Sequence, residues 1–85
     1  MYYVYILQSE VDRSLYIGYS ENLKRRLRDH NQGKNISTKG RDPLKLVYYE
    51  AFLNKKDALN REKYLKSGYG HRSIQKLLKT YFEEN

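Results

Sequence analysis

Residues 2–20 read Tyr2-Tyr3-Val4-Tyr5-Ile6-Leu7-Gln8-Ser9-Glu10-Val11-Asp12-Arg13-Ser14-Leu15-Tyr16-Ile17-Gly18-Tyr19-Ser20, and this stretch decides the fold. Two apolar, β-favouring runs, Tyr2 to Leu7 and Leu15 to Tyr19, flank a polar stretch rich in turn formers. The pattern predicts two strands joined by a short loop, an antiparallel hairpin. Side chains alternate along a strand, so Tyr3, Tyr5 and Leu7 project to one face and Val4 and Ile6 to the other. Tyr16 and Gly18 likewise share a face, and the glycine leaves room beside Tyr16 for another backbone to approach. A phenol can donate, accept or lose a proton, so Tyr5 and Tyr16 on one face would form a candidate site beside a gap.

Beyond the hairpin, Ser20 or Asn22 can cap a helix running to about Asn31, with Gly33 as its stop. Residues 33–43 form a basic polar loop that contains the one proline of the chain. A third strand is expected from Leu44 to Phe52, and Asn54 caps a second helix ending near Ser67-Gly68. Ile74, Leu77, Leu78, Tyr81 and Phe82 then fall on one stripe of a final amphipathic helix. The fold class is α/β, an α+β sandwich of three mostly antiparallel strands flanked by helices, in the order β-β-α-β-α-α. Eighty-five residues form one domain, 1–85, with a single small core.

Seventeen Lys and Arg against ten Asp and Glu leave a net charge of +7, which favours a polyanionic partner, nucleic acid first. The cations are spread over several elements rather than lining one amphipathic helix, which argues against a membrane surface. No cysteine is present, which excludes a disulfide framework and a Cys-based zinc site, and two histidines are too few for a structural zinc cluster. No apolar run approaches the roughly 20 residues that span a bilayer, and no signal-peptide pattern opens the chain. A cytoplasmic location is expected.

Helical periodicity adds polar residues to the tyrosines. At about 100° per residue, with Leu23 at 0°, Leu27 falls near about 40°, His30 near about −20° and Arg26 near about −60°. Arg26 and His30 therefore border the inward face of the first helix. In the second helix, with Leu59 at 0°, the apolar arc centres near about −70° and Glu62 lies near about −60°. An inward carboxylate must be paired, ligated or neutralised. Lys66, four residues on, offers a pair worth only about 0.2–0.5 kcal/mol, well below the desolvation cost, so a cation or a catalytic role explains Glu62 better.

Taken together, Tyr3-Val4-Tyr5, Tyr16-Ile17-Gly18, Leu23-x-x-Arg26-Leu27-x-x-His30-Asn31 and Arg61-Glu62-x-x-x-Lys66 resemble the GIY-YIG nuclease family. The order and spacing agree over roughly residues 2 to 79, as in small stand-alone members related to the N-terminal catalytic domain of the excision-repair excinuclease. The resemblance implies an endonuclease that hydrolyses DNA phosphodiester bonds in repair or recombination, using a single Mg²⁺ or Mn²⁺. It makes Tyr16 the general base, with Tyr5 ordering the water and phosphate and His30 assisting Tyr16. It sets Arg26 against the scissile phosphate and Glu62 on the metal. It gives Gly18 and Lys66 to the substrate site, and a protein partner would supply target choice. Two positions depart from the family pattern: Tyr3 stands where its name has Gly, and Tyr19 where many members carry Lys. Lys34, Lys39 and Arg41 on the basic loop are further candidate phosphate contacts. The alternative is a non-catalytic nucleic-acid-binding module that keeps the same scaffold.

Overall fold

In the computed structural model, which describes residues 1–84, the hairpin is β1 (Tyr2–Ser9) and β2 (Leu15–Ser20). Next come α1 (Leu23–Asn31), a short 3-10 turn (Ile36–Thr38) and β3 (Leu44–Phe52). The chain continues through α2 (Lys55–Leu65), α3 (Gly68–Leu77) and α4 (Lys79–Glu84). The described residues form a three-stranded antiparallel sheet in the order β2-β1-β3. The expected fold class holds. β1 is central, and every residue from Val4 to Ser9 is buried.

Helices cover both faces of the sheet. Val4 and Ile6 pack with Ala58 and Leu65 of α2 and Ile74 of α3. On the opposite face Tyr5, Leu7 and Leu44 pack with Tyr16 and with Leu23 and Leu27 of α1. A bulge in β3 shifts the register between Ile6 and Leu7, so that Val47 and Tyr48, though consecutive, both reach the Val4–Ile6 core.

The expected caps form. Asn22 accepts from the Arg25 amide at 3.1 Å, and Asn54 accepts from the Lys56 amide at 2.8 Å. At the other end of α1, Asn31 grips the start of β3, donating to the Leu44 carbonyl at 2.9 Å and accepting its amide at 2.6 Å. α2 is tied to β3 by Arg61, whose Nε and Nη2 meet the two Glu50 carboxylate oxygens at 2.8 and 2.9 Å. Tyr48 also donates to Glu50, at 2.6 Å. The bonds from Arg61 and Tyr48 hold the Glu50 carboxyl below its ordinary range despite partial burial, while burial and the Glu50 carboxylate push the Tyr48 phenol up to about 12.

One expected helix is in fact two. The chain breaks at Leu78, which ends α3. Leu78 and Phe82 still reach the core, but Leu77 is half exposed. The stripe on one uninterrupted helix is replaced by a turn, after which Tyr81 hydrogen-bonds the buried Gln8. Gly70 explains how closely α3 meets α2: a Cβ there would lie 2.1 Å from the Tyr64 carbonyl oxygen and 2.4 Å from the Leu65 Cα.

Candidate active site

Tyr5 stands opposite Gly18 in the antiparallel register, and Leu7 stands opposite Tyr16. A Cβ on Gly18 would fall 2.2 Å from the Tyr5 hydroxyl. The space that Gly18 leaves is thus filled by the phenol of Tyr5, not by an approaching backbone, and the glycine is what lets that ring lie flat across β2. Tyr5 is only 3 % exposed, so its hydroxyl needs partners inside the protein.

α1 supplies them. Arg26 Nε donates to the Tyr5 oxygen at 3.2 Å, and His30 Nε2 lies 3.0 Å from the same oxygen. The imidazole meets the phenol edge-on, with the ring planes at 71°. Its other nitrogen, Nδ1, lies 2.8 Å from Thr38 Oγ1 in the 3-10 turn. Burial first, and then the Arg26 guanidinium, hold the His30 pKa below 6.5, outweighing Asp29. The neutral imidazole is therefore the resting form.

These groups border a cleft of about 480 Å³ that follows β2. Tyr5, Tyr16, Arg26 and His30 line it from the α1 side. Glu62, Lys66 and His71 line it from the side of α2 and α3. Glu62 does not share the sheet face of the tyrosines, because α2 packs on the Val4–Ile6 face; the carboxylate reaches the cleft around the edge strand β2. Nor is it central to the buried arc of α2. Leu59 is 40 % exposed, so the arc narrows to Ala58 and Leu65, and Glu62 sits at its margin with a half-buried side chain. Lys66 Nζ donates to Glu62 Oε2 at 3.0 Å, as their helical spacing suggested.

The cations of the basic loop lie elsewhere. Lys34 pairs with Asp29 at 3.9 Å, Arg41 with Asp12 of the hairpin loop at 3.3 Å, and Lys39 is exposed outside the cleft lining. From that loop Asn35 and Ser37 line the cleft instead. Sequence reasoning missed these two, together with Thr38 and His71, because an irregular loop and an exposed helix start carry no periodicity that would reveal which way they face. Tyr16 makes no side-chain hydrogen bond among the described residues.

Among the described residues no group of three or more His, Asp or Glu side chains is clustered to hold a metal, and Glu62 is the one carboxylate on the cleft wall. A single carboxylate is compatible with Mg²⁺, which keeps several waters and commonly takes one or two carboxylates plus substrate phosphate oxygens.

The family model of the GIY-YIG catalytic domain matches residues 1–77, and the chain belongs to that family. Within it, the chain is similar to a UPF0213 protein of Clostridium perfringens, at 45 % identity over 100 % of this chain and 92 % of the relative. A UPF0213 protein of Haloquadratum walsbyi is also 45 % identical, over 78 % of this chain and 74 % of the relative. The solution structure of a UPF0213 protein from Bacillus halodurans superimposes with a TM-score of 0.56 at 37 % identity, covering 91 % of this chain and 85 % of that one. No helix among the described residues is long and apolar enough to cross a membrane.

Proposed function

We propose that this chain is a metal-dependent endonuclease that hydrolyses phosphodiester bonds of structured DNA, with Tyr5 as the general base. The observation that carries the reading is the convergence of Arg26 and His30 on the Tyr5 oxygen inside the cleft, at 3.2 and 3.0 Å. That convergence favours Tyr5 over Tyr16 as base, because both assisting groups touch Tyr5 and neither is hydrogen-bonded to Tyr16.

An ordinary phenol is a poor base near neutral pH. Here the Tyr5 proton can pass to His30 Nε2, breaking the O–H bond and forming an imidazolium, while the Arg26 guanidinium supports the phenolate. The phenolate then takes a proton from the attacking water as its oxygen bonds to phosphorus. The P–O bond to the leaving oxygen breaks, and that oxygen is protonated by solvent. Arg26 has Nη donors left for a phosphoryl oxygen, and Lys66 adds a second cation. Glu62 would hold Mg²⁺ or Mn²⁺, which when bound would supply Lewis-acid stabilisation of the charge developing on phosphate. Tyr16, on the same face as Tyr5, is suited to position the phosphate or the water.

The test is a cleavage screen over flapped, branched and single-stranded DNA with Mg²⁺ or Mn²⁺. Tyr5→Phe, Arg26→Ala and Glu62→Ala should each lower cleavage by about 100-fold or more. Unchanged cleavage in both Arg26→Ala and Glu62→Ala would defeat the proposal.

One observation favours a second reading, a binding module without turnover: Glu62 already has a partner in Lys66. That reading predicts DNA binding that is unaffected by Mg²⁺ and by Tyr5→Phe, with no product formed.

A further inference from the structure

Thr38 is fully buried, although it lies in a polar loop. Its oxygen is 2.8 Å from His30 Nδ1 and 3.4 Å from the Asn35 carbonyl, to which its hydroxyl donates. We propose that Thr38 is a positioning residue, whose hydroxyl accepts the Nδ1–H of His30 and holds the imidazole in the tautomer that leaves Nε2 to receive the Tyr5 proton.

The donors and acceptors of this chain of groups can be ordered from the Tyr5 end. The buried Tyr5 hydroxyl touches two side chains, and Arg26 has only donors, so the one described acceptor for the phenol proton is His30 Nε2. A neutral imidazole that accepts at Nε2 carries its proton on Nδ1. That proton is directed at Thr38 Oγ1, and the threonine passes its own proton to Asn35. Every donor then meets an acceptor, as burial requires. The opposite order, Thr38 to Nδ1 and Nε2–H to Tyr5, points two donors at the Tyr5 oxygen and leaves the phenol proton without a described acceptor. The 3-10 turn keeps Thr38 in place: Asn35 caps it, accepting from the Ser37 amide at 3.1 Å and the Ser37 hydroxyl at 2.7 Å.

The catalytic meaning of this assignment rests on the nuclease reading, but the tautomer does not, so the two can fail separately. Long-range ¹H–¹⁵N correlation spectra of the uniformly labelled chain at pH 8 report the protonated nitrogen of each histidine directly. The chain has two histidines, and His30→Gln assigns the signals, with exposed His71 as the internal comparison. The expected result is an Nδ1–H tautomer at His30. Thr38→Val, which keeps the shape and removes the acceptor, should shift His30 toward Nε2–H and lower kcat for DNA cleavage at least about tenfold. Thr38→Ser should restore both. An Nε2–H tautomer at His30 in the wild-type chain overturns the proposal, even should Thr38→Val not fold. So does an unchanged tautomer in a folded Thr38→Val. An Nδ1–H chain that cuts no DNA keeps the Thr38 assignment and removes the nuclease reading instead.

Discussion

The two faces of β1 use burial in opposite ways. On one, Val4 and Ile6 are sealed by Ala58, Leu65 and Ile74, all apolar. On the other, Tyr5 packs with Leu7 and Leu44 and is as deeply buried, yet its hydroxyl meets Arg26 and His30, and His30 in turn meets buried Thr38. The first face gains stability from area removed from water. The second holds polar groups in fixed geometry at the wall of the cleft, where burial makes each unmet hydrogen bond expensive. A strand that alternates every residue can thus present a core and a candidate catalytic surface from neighbouring positions.

Substitutions on the two faces can break this comparison. Ile6→Ala should cost about 2–5 kcal/mol in urea unfolding, with any surviving folded protein keeping its His30 tautomer. Gly18→Ala should cost about 1–3 kcal/mol, because the new methyl must displace the Tyr5 ring, and should abolish cleavage as well. Tyr5→Phe leaves His30 Nε2 and Arg26 without their partner and should also cost about 1–3 kcal/mol. If Ile6→Ala and Tyr5→Phe proved alike in both stability and cleavage, the division of labour between the faces would be wrong.

Two smaller effects sharpen it. The folded-state pKa of His30 is lowered, so the unfolded chain binds the proton more readily. Stability should be complete above about pH 6.5 and fall as the pH drops below that value toward the lower folded-state pKa. Thermal unfolding between pH 8 and 5.5 should show a shallower loss in His30→Gln than in the wild type. Smallest is the contrast between the ion pairs made by two adjacent residues of α2, Arg61 and Glu62. Glu50→Gln disturbs a bidentate but partly exposed pair with Arg61 and should cost about 1 kcal/mol. Glu62→Gln releases a single bond to exposed Lys66 and should change stability by under about 0.5 kcal/mol. A carboxylate that can be freed so cheaply is suited to a second ligand.

Much of this was legible in the residues. The hairpin followed from alternation and turn composition, the bounds of β3 from its run of β formers, the α2 start from Asn54, and the α1 start to within the choice of Ser20 or Asn22, of which Asn22 is the cap. Leu23, Leu27 and His30 fell on one helical face because periodicity alone brings such positions together. The break at Leu78 was not legible, since a stripe of apolar residues reads the same on one helix or on two. Nor was the margin position of Glu62, because Leu59 counts as apolar in a sequence whether or not anything covers it.

The sequence by itself determined the strands, the starts of α1 and α2, the excess of positive charge and the family, all of which depend on local order along the chain. Tertiary structure alone decided that Gly18 makes room for Tyr5, and that Arg26 and His30 meet Tyr5 rather than Tyr16. It also carried Glu62 to the cleft around the edge of β2 and buried Thr38 against His30. Those relations join residues far apart along the chain, or set a side chain's direction in an irregular loop. Only packing in three dimensions, with every buried donor seeking its acceptor, can select among them.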